Sequence, residues 1–83
     1  MNASDIEKII HLYDEERKAA ESCKEYARSA ERQLIFDEAR RHWQGAANHN
    51  NRAGAIAQVL NILGYSVMDS QTTDGKSYKI VKE

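Results

Sequence analysis

No proline occurs anywhere in this chain of 83 residues, and its first glycine is Gly45. The N-terminal half therefore lacks the two residues that most readily end a helix, and the spacing of its apolar residues predicts a main helical segment over residues 5–48. At the standard rise, such a segment extends about 60 Å. Ser4 followed by Glu7 has the capping-box pattern, in which each side chain satisfies a backbone N–H left open by the first turn, so the helix is expected to start near Ser4.

Within the segment, Ile6, Ile9, Ile10 and Tyr13 form an apolar stripe that Ala20, Cys23, Ala27, Ala30 and Leu34 continue at spacings of three or four. In a heptad frame, Ile6, Tyr13, Ala20, Ala27 and Leu34 occupy a positions, but Glu16 and Asp37 fall at d beside Ile9, Cys23 and Ala30. Acids at d weaken a parallel zipper, so a helical hairpin or antiparallel bundle fits better. The small residues would allow another helix to approach closely. From Ile35 or Phe36 the stripe continues through Ala39, Trp43, Ala46 and Ala47, rotated from its earlier course, which marks a bend or a change of partner.

Asn48, Asn50 and Asn51 favour turns and helix caps, and they are expected to form an elbow. A short amphipathic helix over residues 51–63 then carries Ala53, Ile56, Ala57, Val59, Leu60 and Leu63. It closes at Gly64 in a left-handed C-cap, with Tyr65 folded back toward Val59 and Leu60. Beyond it, YSVMDSQTTDGKSYKIVKE reads as two strands joined by a type I′ turn at Asp74-Gly75. That turn pairs Thr73 with Lys76, Gln71 with Tyr78 and Asp69 with Ile80, and it puts Tyr65, Val67, Tyr78 and Ile80 on one face.

The expected fold is α+β, a single small domain over residues 1–83 with a long N-terminal helix, a short second helix and a C-terminal antiparallel β-hairpin. A helix of about 20 Å cannot shield a stripe of about 60 Å. Self-association through the long helix, most simply as a dimer, is the expected remedy.

Apolar residues at 41% and charged residues at 30% describe a globular chain. Twelve Lys and Arg against thirteen Asp and Glu leave a formal charge of -1, without the positive field of a non-specific nucleic-acid binder. The single Cys23 cannot close an internal disulfide, which suits a reducing cytoplasm. The N-terminus lacks the basic flank and apolar block of a secretory signal, and no apolar run approaches a membrane span, so no membrane partner is expected.

Candidate chemistry is sparse. Glu38, His42 and His49 share a helical face but do not make a closed ligand set, so no metal and no cofactor are expected. His11 with Asp14 or Glu15 supplies no pocket for a general base. Cys23, flanked by Glu21 and Lys24, reads as a buried or interface thiol. No nucleophile triad or phosphate loop is present, and an enzyme is not expected.

The patterning favours a non-enzymatic protein-interaction module, a regulator or inhibitor of a larger protein that also self-associates. Ile6, Ile10 and Tyr13 are expected to anchor one end of its interface, Ala20 and Ala27 to allow close approach, and Leu34, Phe36 and Trp43 to contribute at the other end. The alternative is a winged-helix-like nucleic-acid-binding regulator. There Arg52, Gln58 and Asn61 would read base edges while Arg40, Arg41 and Lys76 met phosphate.

Overall fold

The computed structural model describes residues 2–69 and 77–83. Two helices, α1 (Ala3–Arg32) and α2 (Phe36–Ile62), fold back on each other and lead into two antiparallel strands, β1 (Tyr65–Asp69) and β2 (Tyr78–Lys82). The α+β class and the long N-terminal helix follow the sequence periodicity. The division of the helical segment does not.

The helix expected over residues 5–48 breaks at residues 33–35, where Leu34 adopts a left-handed conformation with φ 62°. The Leu34 N–H donates to the Glu31 carbonyl at 3.0 Å, and the Ile35 N–H to the Ala30 carbonyl at 2.9 Å. These are the two bonds of a Schellman motif. Glycine ordinarily takes the left-handed position because a Cβ there costs about 1–2 kcal/mol. Leucine takes it here, so the break carries no glycine, asparagine or proline signal. The rotation of the apolar stripe at Ile35 is its trace in the sequence.

The second helix is accordingly not short. It has 27 residues and runs through Gly45 and the asparagines at 48, 50 and 51, which stand exposed within it rather than forming an elbow. The helix preference of Asn is weaker than that of Ala by only a fraction of a kcal/mol, about 0.7 at most, and packing of the opposite face overrides it. Gly45 earns its place by contact, since a Cβ added there would lie 3.3 Å from the Cys23 Sγ. The N-terminal cap also differs from expectation. Asn2, not Ser4, accepts the first-turn bond, from the Asp5 N–H at 2.9 Å, which leaves Ser4 inside the helix.

Two seams at strict heptad spacing join the helices. On α1 the a and d series are Ile6, Tyr13, Ala20, Ala27 and Ile9, Glu16, Cys23, Ala30; on α2 they are Ala39, Ala46, Ala53, Leu60 and His42, His49, Ile56, Leu63. All sixteen are buried or half-buried. Near the elbow the seam is mostly alanine, which permits close approach of the two backbones. Toward the open end Tyr13, Ala53, Leu60 and Tyr78 form a bulkier core, flanked by Ile9, Ile10, Ile56, Tyr65, Val67 and Ile80. The series of small a-position residues is thus buried within one chain, and α2 supplies the missing helix.

Gly64, at φ 91°, ends α2 in the expected left-handed position, and its N–H donates to the Asn61 carbonyl at 3.1 Å. The strands pair Tyr65 with Lys82, Val67 with Ile80 and Asp69 with Tyr78. This register is displaced by two residues from the one that placed Ile80 opposite Asp69. Because side chains alternate with period two, the slip leaves every residue on its expected face. Tyr65, Val67, Tyr78 and Ile80 do pack together on the helices. The proposed turn at Asp74-Gly75 lies outside the described residues.

The helices measure about 45 Å and 40 Å at the standard rise, so the supposed mismatch of 60 Å against 20 Å is absent, and α2 covers the seam of α1 along most of its length. Two stability measurements check this packing. Replacing Leu34 with Gly relieves the left-handed strain without removing a buried contact, and should raise the urea unfolding free energy by about 0.5–1 kcal/mol after the entropy gained by the unfolded chain. Replacing Ala27 with Leu should lower it by about 1–3 kcal/mol through overpacking.

Candidate protein-interaction site

The elbow presents consecutive large apolar residues to solvent: Leu34 is 73% exposed, Ile35 43% and Phe36 60%. Leu34 points outward because the left-handed backbone turns the chain there. Ile35 caps α2 without a side-chain hydrogen bond. Beside them Trp43, 38% exposed, donates its indole N–H to the Glu31 carboxylate across the elbow. The Arg28 guanidinium lies 5.8 Å from the Trp43 ring centroid, within cation–π range. Arg28, Arg32, Arg40 and Arg41 are exposed around this tip, and among the described residues none of the four enters an ion pair.

The interface residues expected from sequence divide into three groups. Tyr13, Ala20 and Ala27 are buried in the intramolecular seam and offer no free surface. Ile6 and Ile10 are half-buried, Ile10 against the open-end core. Leu34, Phe36 and Trp43 are gathered at the exposed elbow. Ile35 belongs with them and was not among the expected anchors, because a continuous helix would have spread these residues around its circumference.

The residues expected to meet nucleic acid are not brought together. Arg40 and Arg41 lie in the elbow half of α2, while Gln58 and Asn61 are exposed near its other end, about 30 Å away along the axis. Arg52 is committed to Glu16, and Lys76 lies outside the described residues. The described residues form two helices and two strands, without the third helix on which a winged helix is built.

Glu16, the acid at a d position, is held from across the seam. Its Oε2 lies 2.6 Å from the His49 Nδ1, and the Arg52 Nε lies 3.3 Å from both carboxylate oxygens. Arg52 also brings a terminal nitrogen to 2.9 Å from the same His49 Nδ1. That ring nitrogen cannot donate to the carboxylate and accept from the guanidinium at once. Donation to Glu16 is favoured as the charge-assisted bond. The hydrogen bond from His49, with Arg52 adding to it, lowers the Glu16 pKa against the opposing effect of burial.

At the open end, Arg17 binds the sheet to α1. Its guanidinium stacks 4.6 Å from the Tyr78 ring centroid and donates to the Tyr13 hydroxyl at 2.8 Å and the Ser77 hydroxyl at 3.2 Å. Tyr13 and Tyr78 meet edge to face at 5.1 Å. Burial, and then the Asp14 carboxylate that accepts from its hydroxyl, push the Tyr78 pKa above the ordinary phenol value, so it serves as a neutral donor. An open depression of about 450 Å³ beside this group is lined by Asp14, Glu15, Arg17, Lys18, Glu21, Ser77 and Tyr78. Its charges are of mixed sign, and Arg17, Asp14 and Tyr78 are engaged with one another and with their neighbours.

Elsewhere, His42 Nε2 lies 3.7 Å from a Glu38 oxygen, while His49 faces Glu16. The described residues contain no group of three His, Cys, Asp or Glu side chains placed to hold a metal ion. No described helix is long and apolar enough to cross a membrane. No protein-family model, curated protein or solved structure matches the chain.

The Glu16 contact sets a pH dependence. A carboxyl whose pKa is lower in the folded state stabilises the fold above its unfolded pKa, and that contribution is lost as pH falls through the folded value. Stability should therefore decline below about pH 4, the ordinary glutamate range. A Glu16→Gln variant should show a shallower acid limb in thermal melts taken from pH 7 down to pH 3.

Proposed function

We propose that this chain is a non-enzymatic protein-interaction module, a small regulator or inhibitor of a larger protein, which docks through its helical elbow and associates with itself through α1. The observation that carries the reading is Leu34. It holds a left-handed backbone at φ 62°, a conformation costing about 1–2 kcal/mol for a residue with a Cβ, and it leaves 73% of its surface in water. The strain is not offset by burial within the chain. Strained backbone joined to exposed apolar side chains is a signature of a contact made with something else.

Composition at the elbow agrees. Trp, Phe and Arg are enriched where protein interfaces concentrate their binding free energy, and Phe36, Trp43 and the arginines flanking the tip supply all three. A cytoplasmic setting accords with the one unpaired Cys23.

The test pairs capture with mass measurement of intact complexes from an extract of host cells. Wild type should retain a partner of fixed mass. A Leu34→Gly, Phe36→Ser variant, changed only at exposed positions, should retain at least about tenfold less, and Lys82→Glu at the opposite end should behave as wild type. A partner held equally by the elbow variant would overturn the assignment of this surface.

A further inference from the structure

The sheet covers one broad face of the helical hairpin, where Ile10 and Ala57 pack against the core to which Tyr78 belongs. Among the described residues, no further element covers the opposite face. There α1 presents Leu12, 56% exposed, and Tyr26, 63% exposed, and α2 adds Val59, 44% exposed. Ala19 stands midway between Leu12 and Tyr26, seven residues from each. Tyr26 lies on this flank against His42, with ring centroids 5.5 Å apart.

We infer that this face binds a second copy of the chain, with the two α1 helices antiparallel and a two-fold axis passing beside Ala19. The inference rests on the self-association reading above and gives it a surface and a symmetry. A two-fold contact must be self-complementary. About this axis Ala19 meets Ala19 of the second copy, where a small side chain permits close approach, and each Leu12 meets Tyr26 of the second copy. In the adjoining row, Glu15 faces Ser22 of the second copy and Lys8 faces Ser29, so no like charges are opposed there. On the α2 side of this face, Arg52 is already offset by Glu16 within its own chain.

The available area is sufficient. The chain measures 48 × 24 × 17 Å, and its broad face is on the order of 1,000 Å², against the roughly 800 Å² per partner of a standard interface.

A disulfide needs Cα atoms about 4.4–6.8 Å apart, so it reports the axis directly. Ala19→Cys in a Cys23→Ala background should give a disulfide-linked dimer under mild oxidation, while Glu25→Cys and Leu34→Cys in that background should not. In sedimentation equilibrium, wild type should be dimeric at roughly 100 µM, and Leu12→Asp or Tyr26→Asp, both at exposed positions, should weaken association at least about 100-fold. Circular dichroism should show that the variants retain their helices. A wild-type monomer at that concentration would overturn both this arrangement and self-association. A dimer that survives Tyr26→Asp, or that cross-links at Leu34→Cys and not at Ala19→Cys, would keep self-association and reject this face.

Discussion

The close approach of α1 and α2 is the constraint on which the other features depend. Alanine contributes little buried area, so Ala20, Ala27, Ala39 and Ala46 stabilise the pair chiefly by what they omit, letting the backbones come into dispersion contact along their length. Gly45 extends the same economy by making room for the Cys23 sulfur. The larger hydrophobic contribution is concentrated at the open end, where Tyr13, Leu60 and Tyr78 meet. One end of the hairpin is thus held by bulk and the other by proximity.

This division explains the position of the sheet. Two strands alone are marginal in water, and here they gain stability through Tyr78, buried between α1 and its own strand, and through Arg17, which bridges Tyr13 and Ser77. The polar residues on the seam follow the same logic. Glu16 would weaken a symmetric zipper of identical helices, but facing His49 and Arg52 it favours one antiparallel alignment of α1 on α2. In a slipped register this half-buried contact would be lost, because Glu16 would no longer face His49 and Arg52.

Much of the architecture was legible in the sequence because it rests on periodicity. The helical character of the N-terminal half, the a series through Tyr13, Ala20 and Ala27, the end of α2 at Gly64 and the shared face of Tyr65, Val67, Tyr78 and Ile80 all follow from spacing. The elbow was not legible, because a leucine occupies a position that glycine normally marks. The asparagines near residue 50 gave a false signal, since their preference for caps is weak beside a packed alanine seam. The elbow also separates the interface residues expected from spacing. Tyr13, Ala20 and Ala27 are buried in the intramolecular seam, whereas Leu34, Phe36 and Trp43 owe their exposure to a turn. Leu12 and Tyr26 lie one position beside the seam, where spacing alone does not distinguish a flank from a solvated surface.

The folding back of α2 has a practical corollary. Asn2 and Glu83 both belong to the open end of the hairpin, about 45 Å from Leu34 by the length of α1. A label or a solid support coupled at Asn2 or Glu83 would therefore stand well clear of the elbow. The molecule can be held by its base while its tip remains accessible from all sides.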